Sequence, residues 1–203
     1  MPFILPGMYC DTGDKAYEVE SSYYLEFQIK SALISIKKIK SFTDEDFDSK
    51  YQYYHYYTDH LLYSMGQIGN RFIIKKGDKG LTLERKEENR QNFEFSESIY
   101  PILSNKAGRN TIEHIDEHNQ KVIVNNKGVG GFNLIDIDTD KLLIETLYNE
   151  RQTHPYILDL LNDKILIIRN EKEIDIRISD LEQELTSLLN SVSYVYKYLT
   201  EDL

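Results

Sequence analysis

The feature that most constrains this chain is a change of hydrophobic period near residue 120. Before that point apolar residues recur at helical spacing, and after it they cluster in short β-type runs. From about Val19 to Ile39, the positions Tyr23, Phe27, Leu33/Ile34 and Ile36 repeat close to every 3.6 residues. Thr43, followed by Asp44, Glu45 and Asp46, has the form of an N-cap with an acidic first turn. The helix it would open runs through YQYYHYYTDHLLYSMGQIGNRF, with Tyr54, Tyr57/Thr58, Leu61 and Met65 on one face. Gly77-Asp78 and Gly80 mark a break. A third helix is expected from about Leu83 to Leu103, carried by Phe93, Ser96/Glu97 and Tyr100. A short fourth follows the possible caps Ser104 and Asn105 and covers Arg109 to about Asn119.

Beyond residue 120 the segments KVIV, GFNLIDI, KLLIETL, PYILDLL, KILIIRN and KEIDIRI all read as strands. Asn162-Asp163 is a candidate two-residue hairpin turn and Asn170-Glu171-Lys172 another. The chain closes with a helix capped by Ser179 or Asp180 and striped by Leu181, Leu185, Leu188/Leu189, Val192 and Val195/Tyr196. The expected fold is mainly α, α+β overall. It is a helical bundle in which a small antiparallel β insertion, residues 121–178, precedes the C-terminal helix. Residues 1–203 are expected to form one domain, since 203 residues are enough for a core without metals or disulfides.

Composition narrows the function classes. Cys10 stands alone, so no intrachain disulfide is possible and a reducing, cytoplasmic setting is expected. The opening MPFILPGMYC lacks a basic n-region, and no run approaches ~18 apolar residues, so neither a signal peptide nor a membrane span is expected. A net charge of −10 argues against a surface that coats nucleic acid or anionic lipid as a whole. The charge is uneven, however: residues 1–70 and 91–203 are net −4 and −9, whereas residues 71–90 are net +3. Arg71, Lys75, Lys76 and Lys79 are therefore the expected RNA-binding residues.

The chemistry is concentrated in SNKAGRNTIEHIDEHNQ, where Arg109, Asn110 and His114 fall in the order Arg-Asn-x-x-x-His. Asn110 and His114 share a face of a helix, and Arg109 sits in its first turn. An imidazole with an ordinary pKa near 6.5 exchanges protons at neutral pH. On this motif and the surrounding helical pattern, about residues 19–119 plus the last helix, the chain resembles the HEPN superfamily of helical bundles. Its nuclease members carry an Arg, often a polar neighbour, four to six residues and a His. The β-rich stretch departs from the minimal bundle. The resemblance implies a metal-independent endoribonuclease of abortive-infection or toxin type, with no cofactor. In it His114 is general acid or base, Arg109 stabilises the crowded phosphate and Asn110 positions. It also implies a homodimer whose two motifs face one cleft, together with a neutralising or phage-encoded protein partner. A non-catalytic interaction protein of the same fold is the alternative.

An overlapping pattern competes. His114-Ile115-Asp116-Glu117-His118 reads H-x-x-E-H, similar to the inverted zinc-peptidase motif. Here His114 and His118 would hold zinc, Glu117 would act as base, and Glu182 or Glu184 would complete the ligand set. Other features read as structural. These are the Tyr-rich helix at 51–63, the pair His55 and His60, Gly128–Gly131, and the alternating Asp136, Asp138 and Asp140.

Overall fold

The computed structural model describes residues 14–42, 49–105, 132–149, 156–169 and 172–200. Helices dominate them: α1 (Asp14–Lys40), α2 (Lys50–Phe72), α3 (Leu81–Asn92), α4 (Lys141–Asn149) and α5 (Ile178–Thr200). Between α3 and α5 lie four strands, β1 (Phe132–Ile135), β2 (Tyr156–Asp159), β3 (Lys164–Arg169) and β4 (Lys172–Arg177). The expected arrangement of a mainly helical chain with a small sheet before its last helix is present. The segments KVIV and Arg109–Asn119 lie outside the described residues.

Phe27 and Ile34 of the stripe expected on α1 are exposed, and the residues it buries are Val19, Ser22, Leu25, Ile29, Ala32, Ile36 and Ile39. Their spacings of three and four keep them on one helical face. Ile178, Leu181, Leu185, Leu188 and Val192 form the matching stripe of α5, and α1 packs against both α2 and α5. The end of α1 is closed by α2, because the Tyr53 hydroxyl reaches the carbonyls of Lys38 (2.9 Å) and Ser41 (3.2 Å). The cap of α2 is Ser49 rather than Thr43: its hydroxyl accepts from the Gln52 amide at 3.2 Å. Thr43 and the acids after it lie outside the described residues.

The expected third helix is much shorter. It stops at Asn92, and Glu94 takes a positive φ of 50°. Phe93 and Phe95 are both buried, whereas residues i and i+2 of a helix point to nearly opposite sides. The chain turns instead, laying Phe95 flat on Phe72 (4.1 Å, 5° between planes) and Tyr100 on Phe95.

The sheet has the order β1-β2-β3-β4 and is mixed, correcting the antiparallel expectation. β1 pairs parallel with β2, while β2–β3 and β3–β4 are antiparallel. A parallel pair needs a crossover, and α4 lies between the two strands in the chain. KLLIETL is therefore helix, not strand. Asp140 starts it by accepting from the Leu142 amide at 2.8 Å, and Ile144, Leu147 and Tyr148 turn its apolar side to the sheet. The sheet consequently has two buried faces. Tyr156, Leu158, Ile165, Ile167 and Ile176 join the bundle core, and Ile135, Ile157 and Leu166 meet α4. All four residues of β2 are buried, as befits a strand covered on both sides.

The β2–β3 turn is longer than the expected two residues: Asp159 pairs with Lys164, leaving 160–163 between them. Asp163, at φ 53°, also caps α5. Its carbonyl accepts from the Ile178 amide (2.8 Å), and its carboxylate accepts from the Ser179 amide (3.1 Å) and the Ser179 hydroxyl. Neither Ser179 nor Asp180 is the cap. Replacing Asp163 by Ala removes an N-terminal cap, worth about 0.5–2 kcal/mol, and puts Ala in a left-handed conformation that Asn tolerates. Urea unfolding is expected to show Asp163→Ala destabilised by roughly that amount or more, and Asp163→Asn much less. Equal losses would exclude the capping role.

Candidate functional site

Arg109, Asn110 and His114, with Glu117 and His118 of the zinc reading, lie outside the described residues. The chain that leads toward them is described as far as Asn105, and α5 fixes it. Glu184 is buried and accepts from the amides of Ile102 (2.9 and 3.1 Å) and Leu103 (3.0 Å). Burial pushes its carboxyl above the usual carboxylate range, a shift that the two amides oppose. Glu182 makes an ion pair with Lys40 at 2.6 Å. Both carboxylates considered as a third zinc ligand are thus engaged in holding the fold.

The basic segment after α2 divides by role. Arg71, in the last turn of α2, lays its guanidinium 4.9 Å from the centre of the Tyr24 ring, a cation–π contact. Lys75, Lys76 and Lys79 are exposed in the loop that follows. That loop is organised by Asp78, whose carboxylate accepts from the Lys75 amide (2.7 Å) and from the Lys86 ammonium (2.6 Å). These two contacts, the amide first, hold the Asp78 carboxyl below its usual range. Lys86 is only 9% exposed and also donates to the Ile73 carbonyl at 3.1 Å. Part of the local positive charge is therefore structural. The loop enters α3 through Gly80, whose φ of 52° favours glycine.

On α3, Thr82, Arg85, Lys86 and Asn89 stand at i, i+3, i+4 and i+7 and so share a face. With Leu81 and with Asn70 and Arg71 at the end of α2, they line a cleft of about 420 Å3. Asn89 binds the two helices together by donating its side-chain amide to the Arg71 carbonyl at 3.2 Å. Sequence reasoning singled out Arg71 but missed Asn70, Thr82, Arg85 and Asn89 as its companions. The α3 spacing carried the signal, but the fold-back that brings α3 against Arg71 did not show in any local pattern.

Other polar clusters bind elements together. Tyr156, buried in β2, donates to Asp59 of α2, and burial followed by the Asp59 charge raises its phenol well above its usual range. His55 Nε2 lies 3.2 Å from the same Asp59. Lys50 bridges Asp136 and Asp138 at 2.7 Å each. Burial alone would raise the Asp136 carboxyl, but Lys50, the Asp138 amide and the Thr139 hydroxyl outweigh it and leave the carboxyl lowered. The alternating aspartates therefore have the expected structural role, in the turn after β1, and Asp140 in addition caps α4. Of the Tyr-rich helix, Tyr53 and Tyr54 are core and Tyr51, Tyr56 and Tyr63 are exposed.

No protein-family model, curated protein or solved structure matches this chain.

The Asp78 contacts give a pH dependence. Its folded pKa is lowered, so its contribution to stability is complete above the unfolded value, about 3.9, and is lost as pH falls through the folded value. In thermal melts across pH, wild type is expected to exceed Asp78→Asn by a constant margin above about pH 5. The margin should shrink as the medium becomes more acidic. A margin independent of pH would refute the assignment.

Proposed function

We propose that the protein is a metal-independent endoribonuclease that works as a homodimer, of the kind found among abortive-infection or toxin proteins. The observation that carries this reading is the Arg109-Asn110-x-x-x-His114 sequence, which resembles the HEPN nuclease motif. Two further features support it. The described chain is a mainly helical bundle whose last helix returns to pack on α1. The net-basic segment also contributes Arg71 to a cleft with no acid among its described lining residues, on a molecule of net charge −10.

In this mechanism a ribose 2′-hydroxyl attacks the adjacent phosphorus. His114 takes the hydroxyl proton as general base, and a second proton donor, the same group in the twofold-related copy, protonates the departing 5′-oxygen. A 2′,3′-cyclic phosphate and a free 5′-hydroxyl result. Arg109 offsets the charge that builds up on the equatorial oxygens, and Asn110 positions the phosphate or one of the two side chains. Arg71, Lys75, Lys76 and Lys79 would draw the strand in, and a neutralising partner protein would restrain it. DNA, lacking the 2′-hydroxyl, is not a substrate.

The second reading is a non-catalytic interaction protein of the same fold. It is favoured by large apolar side chains left exposed on α1 and α2, Phe27, Ile34, Tyr56 and Tyr63. The zinc-peptidase reading is weakened, because Glu182 and Glu184 already have partners.

Purified protein incubated with mixed RNA in EDTA is expected to produce fragments ending in cyclic phosphate. Arg109→Ala should reduce the rate by about 100-fold or more, the cost of removing one preorganised charge-stabilising donor. Cleavage that persists in Arg109→Ala, or that stops in EDTA, would sink the proposal. Absence of cleavage would favour the interaction protein.

A further inference from the structure

We infer that the outer face of α1 and α2 is the surface through which a second copy of this chain binds, with the two α1 helices antiparallel across a twofold axis. The inference rests on the proposed homodimer only for the number of copies. The surface itself is argued from α1 and α2 alone.

The core accounts for one face of α1, and the opposite face has an order of its own. Glu20, Phe27, Ile34 and Lys38 stand at i, i+7, i+14 and i+18, so they form a single strip along the helix. Phe27 is 56% exposed and Ile34 57%; Glu20 is exposed and Lys38 partly so. An acid, two large apolar residues and a base thus follow one another, and the strip read backwards is complementary to itself. Two copies laid antiparallel bring Glu20 to the partner's Lys38 and Phe27 to the partner's Ile34. The same two contacts recur on the other side of the axis. Such reciprocity is the property of a twofold interface, and an unrelated partner has no need of it.

The whole helix has the same polarity. Residues 14–26 carry four acids and one lysine, and residues 27–40 carry four lysines and no acid. The helix dipole accounts for the lysines of the last turn, but its effect has faded by Glu20, beyond the first turn. Lys30, the cation nearest the axis, is neutralised by Glu26 at 2.6 Å, which limits repulsion between the copies there. A polyanion would meet the acids of the first half, so the face suits a partner of mixed charge.

α2 widens the face. Ser35 of α1 meets His60 of α2 at 3.1 Å, and Tyr24 meets Gln67 at 3.4 Å. Tyr63, between His60 and Gln67, is therefore level with the middle of the strip. It is 57% exposed and would meet its own copy near the axis, where aromatic rings pair favourably. From Glu20 to Lys38 α1 runs about 27 Å, and two helices side by side are about 20 Å wide. Two such faces bury roughly 1,000 Å2, the area at which a specific interface begins.

The test is sedimentation of the full-length protein at micromolar concentrations. Wild type is expected at twice the 23.9 kDa of one chain. Ile34→Glu changes an exposed helical position that the core does not use, so the helical circular dichroism should be kept. Its dissociation constant should rise about 100-fold, because the substitution acts twice across the axis. Leu142→Glu on α4, 71% exposed, should change that constant less than about twofold.

Glu20→Lys and Lys38→Glu should each weaken the dimer about tenfold, because each sets like charges against one another at both ends. Mixed in equal amounts, the two variants should form heterodimers about as tight as the wild-type dimer, since both ends are then complementary again. A wild-type monomer, a dimer indifferent to Ile34→Glu, or a mixture that yields no heterodimer would overturn the inference. RNA cleavage by a dimer that survives Ile34→Glu would refute this surface and leave the ribonuclease proposal standing. The expected dimer without cleavage would refute the ribonuclease proposal alone.

Discussion

β4 runs into α5 with no loop between them, so the first turn of that helix must find its hydrogen-bond partners elsewhere. Asp163 supplies them from the β2–β3 turn, through its carbonyl and its carboxylate. This junction sets the direction in which α5 leaves the sheet, and with it the placement of the apolar stripe that packs on α1. It also determines where Glu184 meets the amides of Ile102 and Leu103, and where Glu182 meets Lys40. The helical and β parts of the chain share one core because this corner is fixed.

Electrostatics follow the same logic. Several cations of this acidic chain work as ties between segments distant in sequence. Lys50 joins the start of α2 to the turn after β1, Lys40 joins α1 to α5, and Lys86 joins α3 to the loop after α2. Tyr156 and Asp59 tie β2 to α2 in the same manner. A charge count along the sequence treats all cations alike, whereas burial separates those consumed by the fold from those left for a ligand. In the 71–90 segment, Lys86 belongs to the first group and Arg71 lines a cleft.

The errors of local reading have a common physical origin. KLLIETL is rich in Leu and Ile, and seven residues are too few for period alone to tell strand from helix. The parallel pairing of β1 with β2, a non-local fact, demands a crossover there. Phe93 and Tyr100 fit a helical repeat, yet Phe95 also had to be buried, and stacking on Phe72 favoured a turn at Glu94 over a longer helix. Asn162-Asp163 looked like a tight hairpin because turn chemistry is local. The demand of α5 for a cap fifteen residues downstream was not.

The sequence by itself determined the helices α1, α2 and α5, the apolar stripes of α2 and α5, the strands β1 to β4, and their place before the last helix. Each is encoded by the spacing of apolar residues over a few turns or a few pleats, which needs no distant partner. It also supplied the Arg109, Asn110 and His114 pattern on which the ribonuclease proposal stands. Only the tertiary structure decided that the sheet is mixed and buried on both faces, that Asp163 caps α5, and that Glu184 anchors the chain at Ile102 and Leu103. It alone brought Arg71 and Arg85 to one cleft. Those outcomes depend on pairing, burial and charge compensation between residues far apart in the chain, and no local period records them.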